Sequence, residues 1–558
     1  MSHSIFIHRL GNRLCRPGFG CRASLARRVS LAGRVSLAGR VSLAGIASLS
    51  ILMATAGCGD NYRPVVQAIN PVGPAGQLTK YAVAVSIPTI SGEQSLATIV
   101  DFSGDTLLAT PNLVTNPNYF VINVNGSQGY VTNLDGSLST FSLANPSTLL
   151  TSDIVFTSLP VESQPVSMSA FTPASGLSTI FISQGGLNSI AAVNASTAAL
   201  YDTVDIEAGG SNPYYVVGTT DAPRVYAISQ NSPGTNGQVD SIETVSTTTL
   251  SDSAQIPVGI DPVYGVMTTN TDRAFIMNEG SGTVSVLNVP SNELDVDKPS
   301  ITVGSNPVWA DVNTVANELV VLNAGNGANI SAAQDYQGAY STTTTYQKNQ
   351  IVTYTVGGKT NYYMALNSGF SGSLPTDTAN WEQLTAGSVS VISIPLCNAT
   401  AQPTNPNCNP VNPEDGVGFG DVIATVPVGI GASVVSVLQG FEGNSPAAYV
   451  VNQLDSTGTC GAGEGSVTVI NLQTNTVTTT ICGISGSAAT LLANGTANYI
   501  FGHPNAVAAT GGLPTGKVYV TSSDSQYMSI IYTDTNQVQT HIPLQGNGIP
   551  YGVRVSSP

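Results

Sequence analysis

The chain has 558 residues, of which 42% are hydrophobic and only 9% charged, with a formal net charge of −16. That length allows several domains or one large repeat ring, while 57 glycines beside abundant Thr, Ser, Asn and Val exclude a disordered chain or a helical bundle and point to an exported all-β protein. Residues 1–57 carry eight arginines and no acid, so all 33 acidic residues lie in the remainder, a surface that repels phosphate backbones and excludes nucleic acid as a partner.

The arginines lead into an apolar, small-residue run, Val41–Ala56, which ends in Thr55-Ala56-Gly57-Cys58. This resembles a bacterial lipoprotein signal peptide over residues 1–57, closed by its lipobox. The resemblance implies cleavage before Cys58, lipidation of that cysteine, and a membrane partner held through the lipid. Gly59 follows the cysteine and no Asp stands there, which by analogy with enterobacterial sorting implies the outer membrane. An ordinary signal peptide or a single membrane anchor is the alternative. Arg-Val-Ser-Leu-Ala-Gly occurs three times between Arg28 and Gly45, with a period that suits neither a helix nor a coiled coil. Residues 58–78, with Pro64, Pro71 and Pro74, are expected to form a tether.

From residue 79 the chain repeats. Lys80–Ser86, Ser95–Phe102 and Thr106–Asn112 read as three strands with no first strand before them. Seven strand starts then carry an X-Pro pair: Asn116-Pro117, Gln164-Pro165, Asn212-Pro213, Asp261-Pro262, Asn306-Pro307, His503-Pro504 and Ile549-Pro550. Proline holds each start extended and removes a ladder donor where it is least missed. Ile430-Gly431 keeps the same phase without proline. A tetrad follows as the second strand: Tyr130–Asn133, Phe181–Gln184, Tyr226–Ser229, Phe275–Asn278, Val320–Asn323, Tyr449–Asn452 and Tyr519–Ser522. In four copies the tetrad starts 13 residues after the proline. Third strands follow, and fourth strands end in Gly259, Gly304, Gly429 and Gly483. Asp261–Gly304 is a complete copy. Repeats of this length predict the four-stranded blades of a β-propeller, eight by count of first strands, with seven as the alternative. Ile549–Val555 is a first strand with nothing after it, so it should complete the N-terminal blade and close the ring.

Tyr130-Val131-Thr132-Asn133 matches letter for letter the tetrad of the YVTN β-propeller repeats, and Val284–Asn288 and Val467–Asn471 resemble that family's Val-Ser-Val-Ile-Asp strand. The resemblance spans about residues 79–555 apart from one insertion, although several tetrads end in Ser or Gln where the family has Asn. Family members include surface-layer proteins and relatives of lactonases and quinoprotein propellers. It therefore implies the fold more firmly than an activity.

The insertion, residues 333–386, interrupts blade six between a first propeller part, 79–332, and a second, 387–558. It contains Tyr340, Tyr346, Val352-Thr353-Tyr354, Gly358, Tyr363, Pro375 and Trp381. This spacing is similar to that of small chitin-binding-type modules, with Asn349 where the pattern has Gly and Tyr340 where it often has Trp. The resemblance implies a polysaccharide partner stacked on Trp381 and Tyr340, with Tyr354 and Tyr363 next. The alternative is that these rings form the module's own core, since so short a segment has little else to bury.

Beyond the signal and Cys58 the chain keeps Cys397, Cys408, Cys460 and Cys482. Three pairings exist; proximity favours Cys397–Cys408 and Cys460–Cys482. Their spacing does not suit zinc, and no metal or cofactor is expected; calcium held by loop carboxylates is the alternative, although no Asp-x-Asp-x-Asp loop supports it. Two histidines remain, His503 and His541, and His503 reads as a strand-start residue. There is no Gly-x-Ser-x-Gly or His-Glu-x-x-His, and Asp311 and Glu318 are examples of what a channel could offer. The expectation is a monomeric, envelope-anchored binding or scaffold protein without a catalytic site, whose partner is a polysaccharide or an envelope protein. The alternative is a lactonase-like or other periplasmic hydrolase using the channel.

Overall fold

Each tetrad is a buried strand because its alternate side chains meet the sheets on both sides. Its leading ring is enclosed in six copies, at Tyr130, Phe181, Tyr226, Phe275, Tyr449 and Tyr519. Its closing asparagine has a second task. The Asn133 amide donates to the Ser137 and Ser139 hydroxyls at 3.1 and 3.2 Å. Asn278 does the same to Thr283 and Ser285, Asn323 to Ser388 and Ser390, and Asn452 to Ser466 and Thr468. A short amide thus clamps the third strand to the second inside the blade, where an unpaired polar group would be costly. Gln184, one methylene longer, still reaches Ser189 at 3.1 Å.

The computed structural model describes residues 80–556 apart from 91–92, 115, 124, 150–152, 172–176, 207–208, 219–221, 245–249, 398–405, 441–443, 487–497 and 511–514. They belong to one compact unit, Ala68–Pro558. The signal segment, the lipobox with Cys58 and the tether lie outside the described residues.

Among the described residues there are eight blade sheets, which removes the seven-blade alternative. Blade one takes Ile549–Val555 beside Tyr81–Ile87, Leu96–Asp101 and the short Leu107–Ala109. Blades two to five begin at Pro117, Pro165, Pro213 and Pro262, blade six at Pro307, blade seven at Ile430 and blade eight at Pro504. The first strand of each blade packs on the first strand of the next, and Ile549–Val555 returns to Pro117–Ile122, so the circle closes. Apolar clusters run between neighbouring blades; one joins Tyr449 and Val467 of blade seven to Val507, Val518 and Val520 of blade eight. Closure leaves no blade edge free at the ends of the chain.

The starts of the first strands are bent. Asn116, Gln164, Asn212, Asp261 and Asn306 adopt left-handed backbone, with φ from 42° to 59°, a conformation that asparagine and aspartate tolerate better than most residues. One residue further on the ladder slips: Pro307 pairs with Asn323, but Trp309 pairs with Leu322, so Val308 is extra. Blades two, four, five and eight carry the same bulge after their prolines. A bulge re-aims the next side chain, here toward the axis.

The insert forms its own sheet from Tyr336–Ala339, Ile351–Val356, Lys359–Ala365 and Trp381–Gln383, preceded by a helical turn, Ala332–Asp335. It leaves blade six at Asn323, opposite Pro307, and so stands on the face of the ring where the first strands begin. Tyr362, Ile351 and Leu384 pack on Ile430 and Leu454 of blade seven. Gly463, with φ +84°, lets the Tyr336 ring approach so closely that a Cβ there would lie 2.1 Å from it. Cys460–Cys482 braces that loop, and Cys397–Cys408 closes a loop on the opposite face. The second loop docks through Arg273, which is 1% exposed and meets Asp415 at 2.7 Å and Asp295 at 3.5 Å.

Candidate functional site

The bulges aim four rings into the channel. Tyr119, Tyr215, Tyr264 and Trp309 all sit two residues after a strand-start proline. The other four first strands place Ser167, Val434, Ala506 and Gly552 at the matching point, so half of the wall is aromatic and half is not. The rings form a ladder: Tyr119–Tyr215 edge-on at 6.2 Å, Tyr215–Tyr264 tilted at 4.7 Å, and Tyr264–Trp309 stacked at 4.2 Å. The Tyr119 hydroxyl donates to that of Tyr215 at 3.2 Å. Burial pushes the Tyr215 and Tyr264 phenols well above their ordinary value, so they remain O–H donors.

The ladder divides the channel. Above it, on the insert's face, lies a funnel of ≈ 830 Å³ that also takes in Tyr214, Tyr551, Gln164, Gln230, Glu279 and Asn329. Tyr214 and Tyr551 line it and are 37% and 40% exposed. Burial raises the Glu279 carboxyl, with the charge of Asp261 adding to it. Below the ladder lies a chamber of ≈ 400 Å³ with mixed walls that include Asp311 and Arg554. The guanidinium of Arg554 sits 5.4 Å from the Trp309 ring centre and 5.7 Å from that of Phe120.

Asp311 and Glu318 separate in role. Asp311 lines the chamber, and its carboxylate accepts the Val312 and Val437 amides at 2.8 Å each, which ties blade six to blade seven. Burial pushes it up to about 6 against those two donors. Glu318 lies at the far end of the second strand and accepts from Asn313 at 2.8 Å. His503 has no nucleophile on its Nε2, which faces the Gly463 carbonyl at 2.7 Å, while Nδ1 faces Asp524 at 2.8 Å. With an acceptor at each nitrogen the ring serves as a clamp, as its strand-start position suggests. Among the described residues no three His, Cys, Asp or Glu side chains are grouped as metal ligands.

In the insert the rings form one cluster. Trp381 is 1% exposed, its Nε1 donates to the Ser373 carbonyl at 2.9 Å, and Tyr346 meets it edge-on at 4.9 Å. Tyr363 is buried beside them. Neither ring presents a free face to a sugar in this arrangement, because both are needed to fill a very small core. Tyr340 and Tyr354 are only partly buried and meet edge-on at 5.7 Å.

The channel aromatics are the functional candidates that the sequence reading missed. The signal was present: an aromatic residue two places after the proline in four of the X-Pro starts.

No family model matches the chain, and no curated protein matches it. Among solved structures, the dihydro-heme d1 dehydrogenase NirN in complex with DHE aligns with a TM-score of 0.50 and 11% identity over 87% of this chain and 76% of that one. AztD of Citrobacter koseri aligns at 0.42 and 9% identity, over 85% of this chain and 97% of that one. A putative 6-phosphogluconolactonase of Bacteroides fragilis NCTC 9343 aligns at 0.39 and 9% identity, over 87% and 99%. At 11% identity the likeness to NirN speaks to architecture alone; the closed ring of eight sheets among the described residues, six of four strands and two of five, makes this chain a β-propeller.

Proposed function

We propose that the protein is an exported, envelope-anchored binding protein whose β-propeller takes a polysaccharide in the aromatic funnel. The observation that carries this reading is the pair of partly exposed rings, Tyr214 and Tyr551, above the ladder, with the Gln164, Gln230 and Asn329 amides around them. Ring faces stack on the apolar faces of sugars, and side-chain amides pair with hydroxyls, so the funnel suits a saccharide better than a charged polymer. The insert stands on the same face, with Tyr340 and Tyr354 only partly buried. The tetrads support kinship with the YVTN repeats, and the segment ending at Cys58 supports lipid anchoring to the outer membrane.

The test is retention on insoluble polysaccharides, peptidoglycan sacculi and chitin, compared between the wild type and a Tyr214→Ala, Tyr551→Ala variant. At least a tenfold loss of retention with unchanged melting is expected. Equal retention, or none by the wild type, overturns the reading. Membrane association is tested with Cys58→Ala, which should shift the protein to the soluble fraction.

A second reading, hydrolysis in the same channel, draws on Asp311, whose raised carboxyl lies in the chamber wall. Both of its oxygens already hold backbone amides, which favours a bracing role. Lactone turnover abolished by Asp311→Asn in a protein of unchanged melting would reverse that preference.

A further inference from the structure

The chamber beneath the ladder has its own chemistry. Its wall is mixed, with Val121, Met168, Val266, Val434 and Val507 from five blades supplying an apolar part. Its one permanent cation is Arg554, and among the described residues no carboxylate lies within ion-pair distance of it. Nη1 has the Val553 carbonyl at 3.5 Å, and the Tyr119 hydroxyl lies beside the group. A guanidinium has more N–H donors than these two acceptors use. Two aromatic rings flank it, and rings stabilise a cation without using its in-plane donors. The fork is therefore flanked by rings, half-buried in the chamber wall and left with donors to spare, the chemistry that recognises a carboxylate bidentately. The phenols of Tyr119, Tyr215 and Tyr264 line the same space.

We propose that this chamber is a second binding site, distinct from the funnel, for a monocarboxylate with a short apolar body. The head lies on the Arg554 guanidinium and the body lies on the apolar part of the wall. A cavity of ≈ 400 Å³ has room for a short alkyl or aryl acid and not for a polymer. Two strongly anionic groups are disfavoured, because Asp311 faces the same space and only one guanidinium is present. The site does not depend on the funnel reading, since its cation and the apolar part of its wall belong to the chamber alone.

The test uses hexanoate on the full chain carrying Trp381→Phe, which leaves Trp309, beside Arg554, as the only tryptophan. Hexanoate is expected to change Trp309 emission saturably. Hexan-1-ol, of the same body without the charge, should bind at least tenfold more weakly, and hexylammonium should give no saturation. Arg554→Gln should weaken hexanoate at least tenfold, and Arg554→Lys, which keeps the charge but loses the fork, should fall between. If Arg554→Gln fails to fold, the acid, alcohol and amine series on the folded protein decides alone. No saturable response to hexanoate, equal binding of acid and alcohol, or unchanged hexanoate binding in a folded Arg554→Gln variant overturns the proposal. Tyr214→Ala and Tyr551→Ala should leave hexanoate binding intact, so failure of the funnel and failure of the chamber are read separately.

Discussion

Tyr81 and Ser556 stand 475 residues apart, yet the Tyr81 amide donates to the Ser556 hydroxyl at 2.7 Å and the Ser556 amide returns a bond to the Tyr81 carbonyl at 2.9 Å. These bonds finish the ladder in which Ala82–Ile87 pairs with Ile549–Val555. The ring is thus held shut by ordinary β-pairing between the two ends of the repeat region, and its first and eighth blades are neighbours only because of it. Deleting residues 549–558 should expose the Tyr81–Ile87 edge and convert cooperative melting into aggregation, as followed by light scattering during a thermal ramp.

A second closure device is a buried ion pair between blade eight and blade one. Lys517 meets Asp105 at 2.6 Å, lies over the Phe102 and Tyr532 rings, and is as enclosed as its partner. Lys517→Ala leaves Asp105 buried without its cation and should cost about 3 kcal/mol, seen as a lower denaturation midpoint. Adding Asp105→Ala should restore part of that loss, because the orphaned charge goes with it.

Asp240, fully enclosed in blade four, carries a carboxyl pushed up to about 7 by burial, with Asp252 adding to the shift against hydrogen bonds from Gln238 and Ser229. A carboxyl raised on folding binds its proton more tightly in the native state, so its contribution to stability is greatest in acid. That contribution is lost as pH rises from about 4 toward about 7. Asp240→Asn should therefore raise the melting temperature at pH ~8 and leave it nearly unchanged at pH ~4. A pH-independent shift in differential scanning calorimetry would contradict this assignment.

His503 titrates in the same sense for a different reason. Burial opposes its charge, but the Asp524 hydrogen bond and charge, with the Gly463 carbonyl and Glu464, outweigh that and hold the imidazole above its ordinary value. The stabilisation is complete below the unfolded value near 6.5 and disappears as pH rises through the higher folded value. His503→Gln should lower the melting temperature clearly in mild acid and much less in alkali. Because Gly463 also holds Tyr362 of the insert, the same variant should speed proteolysis of the insert in acid.

Trp381 and Tyr354 should respond differently to truncation. Trp381→Ala empties the centre of the insert and should cost about 4 kcal/mol within it, seen as a separate low-temperature transition. Tyr354→Ala removes a partly exposed ring and should leave melting within about 0.5 kcal/mol of wild type. A change in polysaccharide retention with Tyr354→Ala would place part of the binding surface on the insert.

The ring itself was legible because its marks are local. A proline fixes φ wherever it stands, a buried aromatic-led tetrad keeps its period along the chain, and an unmatched first strand at residue 549 can only pair with the unmatched strands at residue 80. The interruption of blade six was legible for the same reason, since the tetrad at Asn323 and the third strand at Ser388 are adjacent in the blade but not in the chain. Its aromatics were not assignable, because spacing states that rings come together and not which of them faces water: Trp381 is enclosed while Tyr354 is not.

The channel belonged to the fold. Whether Tyr264 and Trp309 face the axis depends on one bulged residue per strand, and a single-residue slip would turn each ring into the sheet packing instead. Arg554 meets Trp309, and Arg273 meets Asp415, across separations that no periodicity reports. The chain alone determined the repeat and its closure, since these follow from backbone preferences and burial patterns written along the strand; the structure decided between eight blades and seven. Only the closed ring decided which side chains share the axis, because converging on one cavity is a property of eight sheets at once and of none singly.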